Sequence, residues 1–270
     1  MGNCKKVPAS VRSRRTKLRG KTRSPSEPEC YVCALRRQSA FRQLSHGELR
    51  FVGGIKRAHI ALAAGEEVIA QDEAGDAIYT LHEGWAARCR TLSSGARQIL
   101  EILLPGDLLG LSASVLGSGG HAVHALTAVT LCVLDAKKLA AGFRKQPGLS
   151  LSLLHGRLQE QERADARLAV LGQMGATQRI GYLLSDLHQR LRERGLAQGR
   201  GWRLPLDRSQ LADAVGLSKV HVMRALRTLR EEGLAEVRGR RCTVTIPNSH
   251  RLARFSGYSR FRSKFPCPIL

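Results

Sequence analysis

The chain has no apolar run near the length of a bilayer-spanning helix and no charged-then-apolar leader, so no membrane span or export signal is expected. Acidic residues are scarce: 22 Asp and Glu stand against 44 Lys and Arg, a net charge of +22 over 270 residues. Residues 1–24 hold nine basic side chains and residues 251–270 hold five, with no acid in either stretch, which leaves about +8 for the body between them. Segments 1–29 and 249–270 are therefore expected to be basic, disordered arms that strengthen binding to any polyanion without reading its sequence. A start placed too far upstream is the other reading of the first arm, which contains no apolar run.

The seven cysteines are odd in number and scattered, which speaks against a disulfide framework and for a reducing cytoplasm, with thiols kept for metal or redox use. Catalytic signatures are missing as well: no Ser, His and Asp set, Gly-rich phosphate loop or pair of catalytic carboxylates stands out. The competing class is a cupin-like metal enzyme fused to a DNA-binding module. Its metal site would need a His-x-His pair with a further Glu and His, and no His-x-His occurs. The chain is expected not to be an enzyme.

The strongest pattern that is present lies in residues 206–229. Leu206 precedes a first short helix with Leu211, Ala212 and Val215 on its apolar face, Gly216 permits a sharp turn, and Ser218 can cap a second helix. In that second helix Val222, Ala225, Leu226 and Leu229 recur at helical spacing, leaving Lys219, Val220, His221, Met223, Arg224, Arg227 and Arg230 on other faces. This is the pattern of a helix-turn-helix that enters a major groove, early residues on base edges and later ones on phosphates. Arg208, Ser209 and Gln210, at the start of the first helix, join the expected DNA contacts. A plain helical hairpin with a solvated basic face is the bland alternative. Against it, residues 235–246 alternate around Gly239 as a hairpin with Arg238, Arg240 and Arg241 near its tip, as in a basic wing.

Upstream, residues 40–139 carry glycines near every tenth position, at Gly65, Gly75, Gly84, Gly95 and Gly106, with short β-rich runs between them, which predicts an antiparallel roll or barrel. From Pro147, the residues Leu151, Leu154, Leu158, Gln161, Asp165 and Leu168 fall at alternating three- and four-residue steps, a coiled-coil seam weakened in its middle. A helix that merely covers the roll is the other reading. Asp165 would meet its symmetry mate in a homodimer, making association weak and conditional. A helix over residues 177–194, with Ile180, Leu183, Leu184, Leu187 and Leu191 inward, would open the DNA-binding domain. The class expected is α+β, with a sensory roll at 30–146, a dimerisation helix at 147–175 and a winged helix-turn-helix domain at 176–248.

This order resembles the CRP/FNR superfamily of bacterial transcription regulators. The resemblance spans about 40–248 and is carried by residues 84–88 (Gly-Trp-Ala-Ala-Arg), 98–108, 176–180 and above all 206–229. It implies a cyclic-nucleotide-binding-type antiparallel β-roll, a dimerisation helix, and binding to palindromic duplex DNA, with RNA polymerase as a further partner if the protein activates. Arg224 matches the arginine that such proteins place on bases or phosphates. Val220 stands where many members carry a glutamate that accepts from cytosine N4, so Ser218 and His221 become the polar readers in its place.

Members that bind cyclic AMP hold its phosphate with an Arg-Ser pair. Residues 110–125 contain no arginine, so cyclic AMP is not the expected ligand. His121 and His124 read as surface residues rather than metal ligands. Cys30 and Cys33 form a C-x-x-C, and Cys132 falls where oxygen-sensing members place the central ligand of a 4Fe-4S iron-sulfur cluster. Ser39 occupies the spacing of a further ligand cysteine, and Cys4 is too distant to replace it. A cluster, a thiol switch, and a Cys132 that is only a small buried hydrophobe all stay open.

Overall fold

A computed structural model describes residues 28–38, 40–197, 201–238, 242–259, 267–268 and 270. Two short helices precede the roll. α1 (Pro28–Tyr31) is followed by a 3-10 turn (Ala34–Arg37), β1 (Phe41–Arg42) and α2 (His46–Ile55). A capping box starts α2: the Ser45 hydroxyl accepts from the Glu48 N–H, and the Glu48 carboxylate accepts from the Ser45 N–H at 2.8 Å.

The expected roll follows. β2 (Lys56–Leu62), β3 (Glu67–Ile69), β4 (Ala77–Glu83), β5 (Ala86–Thr91), β6 (Arg97–Leu103), β7 (Leu108–Leu109), α3 (Leu111–Leu116), β8 (Ala122–Ala125) and β9 (Val129–Asp135) run in chain order. They form two antiparallel four-stranded sheets, ordered β2-β9-β4-β7 and β3-β8-β5-β6. Ile60, Leu81, Leu103, Val123 and Leu131 fill the space between them, the inward half of each strand's alternation. At Gly84, where φ is 85°, a Cβ would lie 2.2 Å from the Ala128 carbonyl oxygen, so this turn tolerates no side chain.

After α4 (Ala136–Gly142) comes α5 (Pro147–Gln173), opened by a proline at its first turn. Leu149, Leu153, Gly156 and Val170 are buried, while Leu151, Leu154, Leu158 and Leu168 are 54%, 54%, 50% and 71% exposed. One face of the helix packs on the rest of the chain, and the leucines at 151, 154, 158 and 168 lie on its exposed face. α6 (Ala176–Glu193) buries Ile180, Leu183, Leu184, Leu187 and Leu191, as its periodicity predicts.

The DNA-binding module adds β10 (Gly201–Arg203), α7 (Arg208–Val215), α8 (Lys219–Glu231), β11 (Glu236–Arg238) and β12 (Thr243–Thr245). Its sheet has the order β10-β12-β11, so a strand from before the helix-turn-helix completes the hairpin expected after it.

The expectation of a disordered tail from residue 249 is corrected. Asn248 caps α9 (Ser249–Phe255), which lies on α6 with Leu252 buried and Ser256 against Gly181. β13 (Cys267–Pro268) pairs in parallel with β1, and Leu270 is buried among Ile78, Leu134, Leu139, Leu149 and Leu153. Net charge concealed these apolar anchors, because arginines occupy the intervening positions. The expected arm at 1–29 lies outside the described residues except for its last two.

One core crosses the domain boundary. Ala87, Cys89, Ile99, Ile102 and Leu104 of the roll join Leu184 and Leu187 of α6 and Leu211 and Val215 of α7. Beside it runs a buried charge network. Arg88 contacts Glu101 at 2.7 Å, Arg190 contacts Asp107 at 3.0 Å, and Arg194 contacts Asp107 at 2.6 Å.

Candidate nucleic-acid interface and cysteine pocket

The helix-turn-helix is built by its caps. The Asp207 carboxylate accepts from the Gln210 N–H at 2.8 Å while the Gln210 amide oxygen accepts from the Asp207 N–H at 2.9 Å, so the Gln210 oxygen is taken up in starting α7 and its Nε2 is the atom left for a DNA contact. Gly216, with φ at 62°, closes α7 in the left-handed region and donates to the Ala212 carbonyl. The Ser218 hydroxyl then accepts from the His221 N–H and lies 2.8 Å from His221 Nδ1. These two expected readers are thus bound to each other, which fixes the imidazole and leaves its Nε2 edge outward.

On α8, Val222, Ala225 and Leu229 are buried, whereas Lys219, Val220, His221, Met223, Arg224, Arg227 and Arg230 are exposed. Arg227 donates to Glu231 at 2.7 Å. Arg208 is exposed and Ser209 half-buried at the start of α7. Arg238 pairs with Glu236 on the wing at 2.5 Å, while Arg240 and Arg241 lie outside the described residues. The outcome is an exposed basic face held on the buried Val222, Ala225 and Leu229, with Met223 and Val220 available for apolar contact with a thymine methyl.

The three cysteines singled out in the sequence come together. Cys30 on α1, Cys33 ahead of the 3-10 turn and Cys132 on β9 line one cavity of about 560 Å3, with His59 of β2, His82 of β4 and Arg36 also in its wall. His59 is the cross-strand partner of Cys132, and its Nε2 stands 3.2 Å from Cys132 Sγ. The His59 and His82 rings stack at 5.9 Å. Burial pushes the Cys132 thiol up to about 11. At Cys33 burial acts in the same upward sense, but hydrogen bonds from His82 and from the Leu35 and Arg36 backbones outweigh it and bring the thiol down to about 7. The same bond raises His82, against its burial.

Neither histidine was singled out in the sequence. His59 reaches Cys132 across a strand pair and His82 neighbours Cys33 ahead of the 3-10 turn, so no local spacing announces either link. Among the described residues no three His, Cys, Asp or Glu side chains converge as ligands of one ion, and Ser39 lies outside the described residues. The donors pair instead as thiol with imidazole, an arrangement that does not fit the ligand set of a 4Fe-4S cluster. His121 and His124 stay apart from this pocket. His124 lies 3.9 Å from Glu67, and burial, with the nearby Arg88 and Arg157, lowers His121 to about 4. In the roll, Arg88 is held by Glu101 at 2.7 Å and Glu160 at 3.8 Å.

Residues 59–146 match the family described as cyclic nucleotide-binding domain, and residues 178–255 match the Crp-like helix-turn-helix domain. The nitrogen fixation regulation protein FixK of Rhizobium meliloti is 32% identical over 182 residues, which span 67% of this chain and 79% of that protein. The chain belongs to the CRP/FNR family of transcription regulators. Another relative in this family, the transcriptional activator protein FnrL of Cereibacter sphaeroides, is 27% identical over 231 residues, covering 84% of this chain and 92% of its own. The solved structure of FixK2 from Bradyrhizobium japonicum superposes with a TM-score of 0.67 at 25% identity, over 75% of this chain and 98% of that one. Like other CRP/FNR regulators, this chain is a DNA-binding transcription regulator with a roll, a long helix and a helix-turn-helix. None of the described helices is long and apolar enough to cross a membrane.

Proposed function

We propose that the protein dimerises along α5, sets two copies of α8 into the major groove of a palindromic promoter, and answers a redox or oxygen-related signal at the cysteine pocket rather than cyclic AMP. The observation that carries this reading is the exposed basic face of α8 on its buried apolar scaffold. Arg224 is assigned to a guanine, the Ser218–His221 unit to a second base, and Arg208, Ser209, Gln210, Lys219, Arg227, Arg240 and Arg241 to phosphates and flanking groups. Val220 offers no acceptor for a cytosine N4, which removes that base from direct reading at its position. RNA polymerase is the further partner if the bound dimer activates.

The redox part is supported by three thiols in one cavity and accords with relatives that are a nitrogen fixation regulation protein and the transcriptional activator protein FnrL. Absorption of anaerobically purified protein separates a bound cluster from thiol chemistry. For the DNA reading, Arg224→Ala should cost about 1–3 kcal/mol on the specific site and much less on random duplex. Equal losses on both DNAs would remove Arg224 from base reading. Cyclic AMP at a hundred times a real dissociation constant would stabilise the fold by about 2.7 kcal/mol, and the expected change in melting is none.

A further inference from the structure

We propose that Cys33 is an oxidation site for hydroperoxides, activated by His82 and resolved by Cys30 into an intrachain disulfide. This deepens the redox reading above and rests on it. Three observations set Cys33 apart. It is only partly buried in the wall of the cavity, whereas Cys30, Cys89 and Cys132 are buried. His82 lines the same cavity wall and, with the Leu35 and Arg36 backbones, favours the thiolate of Cys33. Its C-x-x-C partner opens onto the same cavity, and Cys30, Cys33 and Cys132 all lie within electrostatic reach of the Arg36 guanidinium. Burial leaves Cys89 and Cys132 near 11, so at neutral pH Cys33 has far more thiolate, the nucleophilic form, than either.

The chemistry closes without a metal. The Cys33 thiolate attacks one peroxide oxygen, an S–O bond forms as the O–O bond breaks, and the leaving oxygen takes the proton from the His82 imidazolium to depart as water or alcohol. Sulfur has lost two electrons and the peroxide has gained them. Cys30 sulfur then attacks the Cys33 sulfenic acid, the S–S bond forms, the S–O bond breaks, and hydroxide leaves with the Cys30 proton as water. One hydroperoxide is reduced and two thiols are oxidised.

The oxidised segment is joined to the DNA-binding domain. The Arg36 carbonyl accepts from the Gln43 side chain at 2.7 Å, a Cβ on Gly195 would lie 2.4 Å from Gln38 Oε1, and Arg194 lies 5.6 Å over the Phe41 ring. Gly195 and Arg194 follow directly on α6. A disulfide that re-forms the turn at Cys33 therefore acts on the end of the helix that opens the DNA-binding domain.

The test uses the full chain, reduced and treated with a chelator, then exposed to hydrogen peroxide and mapped by peptide mass spectrometry. The expected product is a Cys30–Cys33 disulfide, absent in Cys33→Ser and replaced in Cys30→Ser by a sulfenic acid that dimedone traps at Cys33. His82→Ala should slow the reaction about tenfold at pH 7, because the thiol returns toward its ordinary range. The groups that set this pH dependence are His82, Glu83, Lys56, Arg36, Cys30 and Cys132 around Cys33. Melting curves of each variant report folding separately. Oxidation that begins at Cys132 or Cys242, or a His82→Ala rate equal to wild type, overturns the proposal. Gel retardation of the reduced protein tests the regulator reading on its own: a protein that binds DNA but whose Cys33 stays unoxidised after peroxide treatment sinks only this inference, and a mapped disulfide that leaves DNA affinity unchanged sinks redox control while the oxidation site stands.

Discussion

At the scale of single residues, the buried charges carry the least obvious energetics. Glu101 is 3% exposed and Arg190 is 6% exposed, values that only a paired network sustains. Against its burial, Asp107 is held well below the usual carboxylate range by Arg194 and Arg190 and by the Leu104 N–H that donates to it. Glu101 is likewise lowered against its burial by Arg88, Arg163 and Arg190. These depressed groups contribute stability above about pH 4, and that stability is lost as pH falls further. Glu160 behaves in the opposite sense. Burial, reinforced by Glu101, pushes it up to about 7. Its contribution is complete below its unfolded value near 4.5 and is lost as pH rises through 7. Glu160 therefore contributes a decline of up to about 1.4 kcal/mol per pH unit between about pH 5 and pH 7, opposed below pH 6.5 by the lowered His121, and Glu160→Gln should remove this falling component. Urea unfolding at fixed protein concentration across this range checks it. Parallel profiles for the two proteins would remove Glu160 as the source.

Among the elements, α5 makes the strongest demand on a partner. It turns Leu149 and Leu153 inward and Leu151, Leu154, Leu158 and Leu168 outward, so among the described residues the second stripe is left uncovered. Each outward leucine buried in a dimer is worth about 1.5–3 kcal/mol. Leu154→Glu with Leu158→Glu should raise the dimer dissociation constant at least a hundredfold while the melting of the isolated chain stays near wild type. Asp165→Leu should act the other way, and sedimentation velocity distinguishes all three states. The same helix explains what could be read from sequence. α5, α6 and α8 are long enough for several turns of apolar periodicity, and Gly216 and Ser218 mark the turn between α7 and α8. α2 and α9 span only 10 and 7 residues, and β10 only 3, too short for a period to declare itself. The cysteines were visible as a C-x-x-C and a central thiol, but His59 and His82 were not, since cross-strand register and the docking of the 30–37 segment on the sheet bring them to the cavity. The charge network was hidden for the same reason: Arg190 meets Asp107 across 83 positions of sequence.

Across the whole molecule, the chain is tied at two places far apart in sequence. The roll and the DNA-binding domain share a core through Ile99, Ile102, Leu184 and Leu187, with the Trp85 and Trp202 rings stacked at 6.2 Å beside it. Leu270 packs on the roll, where its backbone oxygen accepts from the buried Thr80 hydroxyl at 2.8 Å. Thr80 is the register partner of Cys132, and Leu270 touches both the wall of the cysteine cavity and the inward stripe of α5. The cysteine cavity, α5 and Leu270 thus meet in one packed cluster. Leu270→Ala should cost about 2–4 kcal/mol in chemical denaturation, the range for truncating a buried leucine that leaves a cavity. It should also speed proteolysis within α2, whose Val52 and Ile55 line the same core. A variant as stable as wild type, with α2 equally protected, would show that the 267–270 segment rests on the roll without holding it.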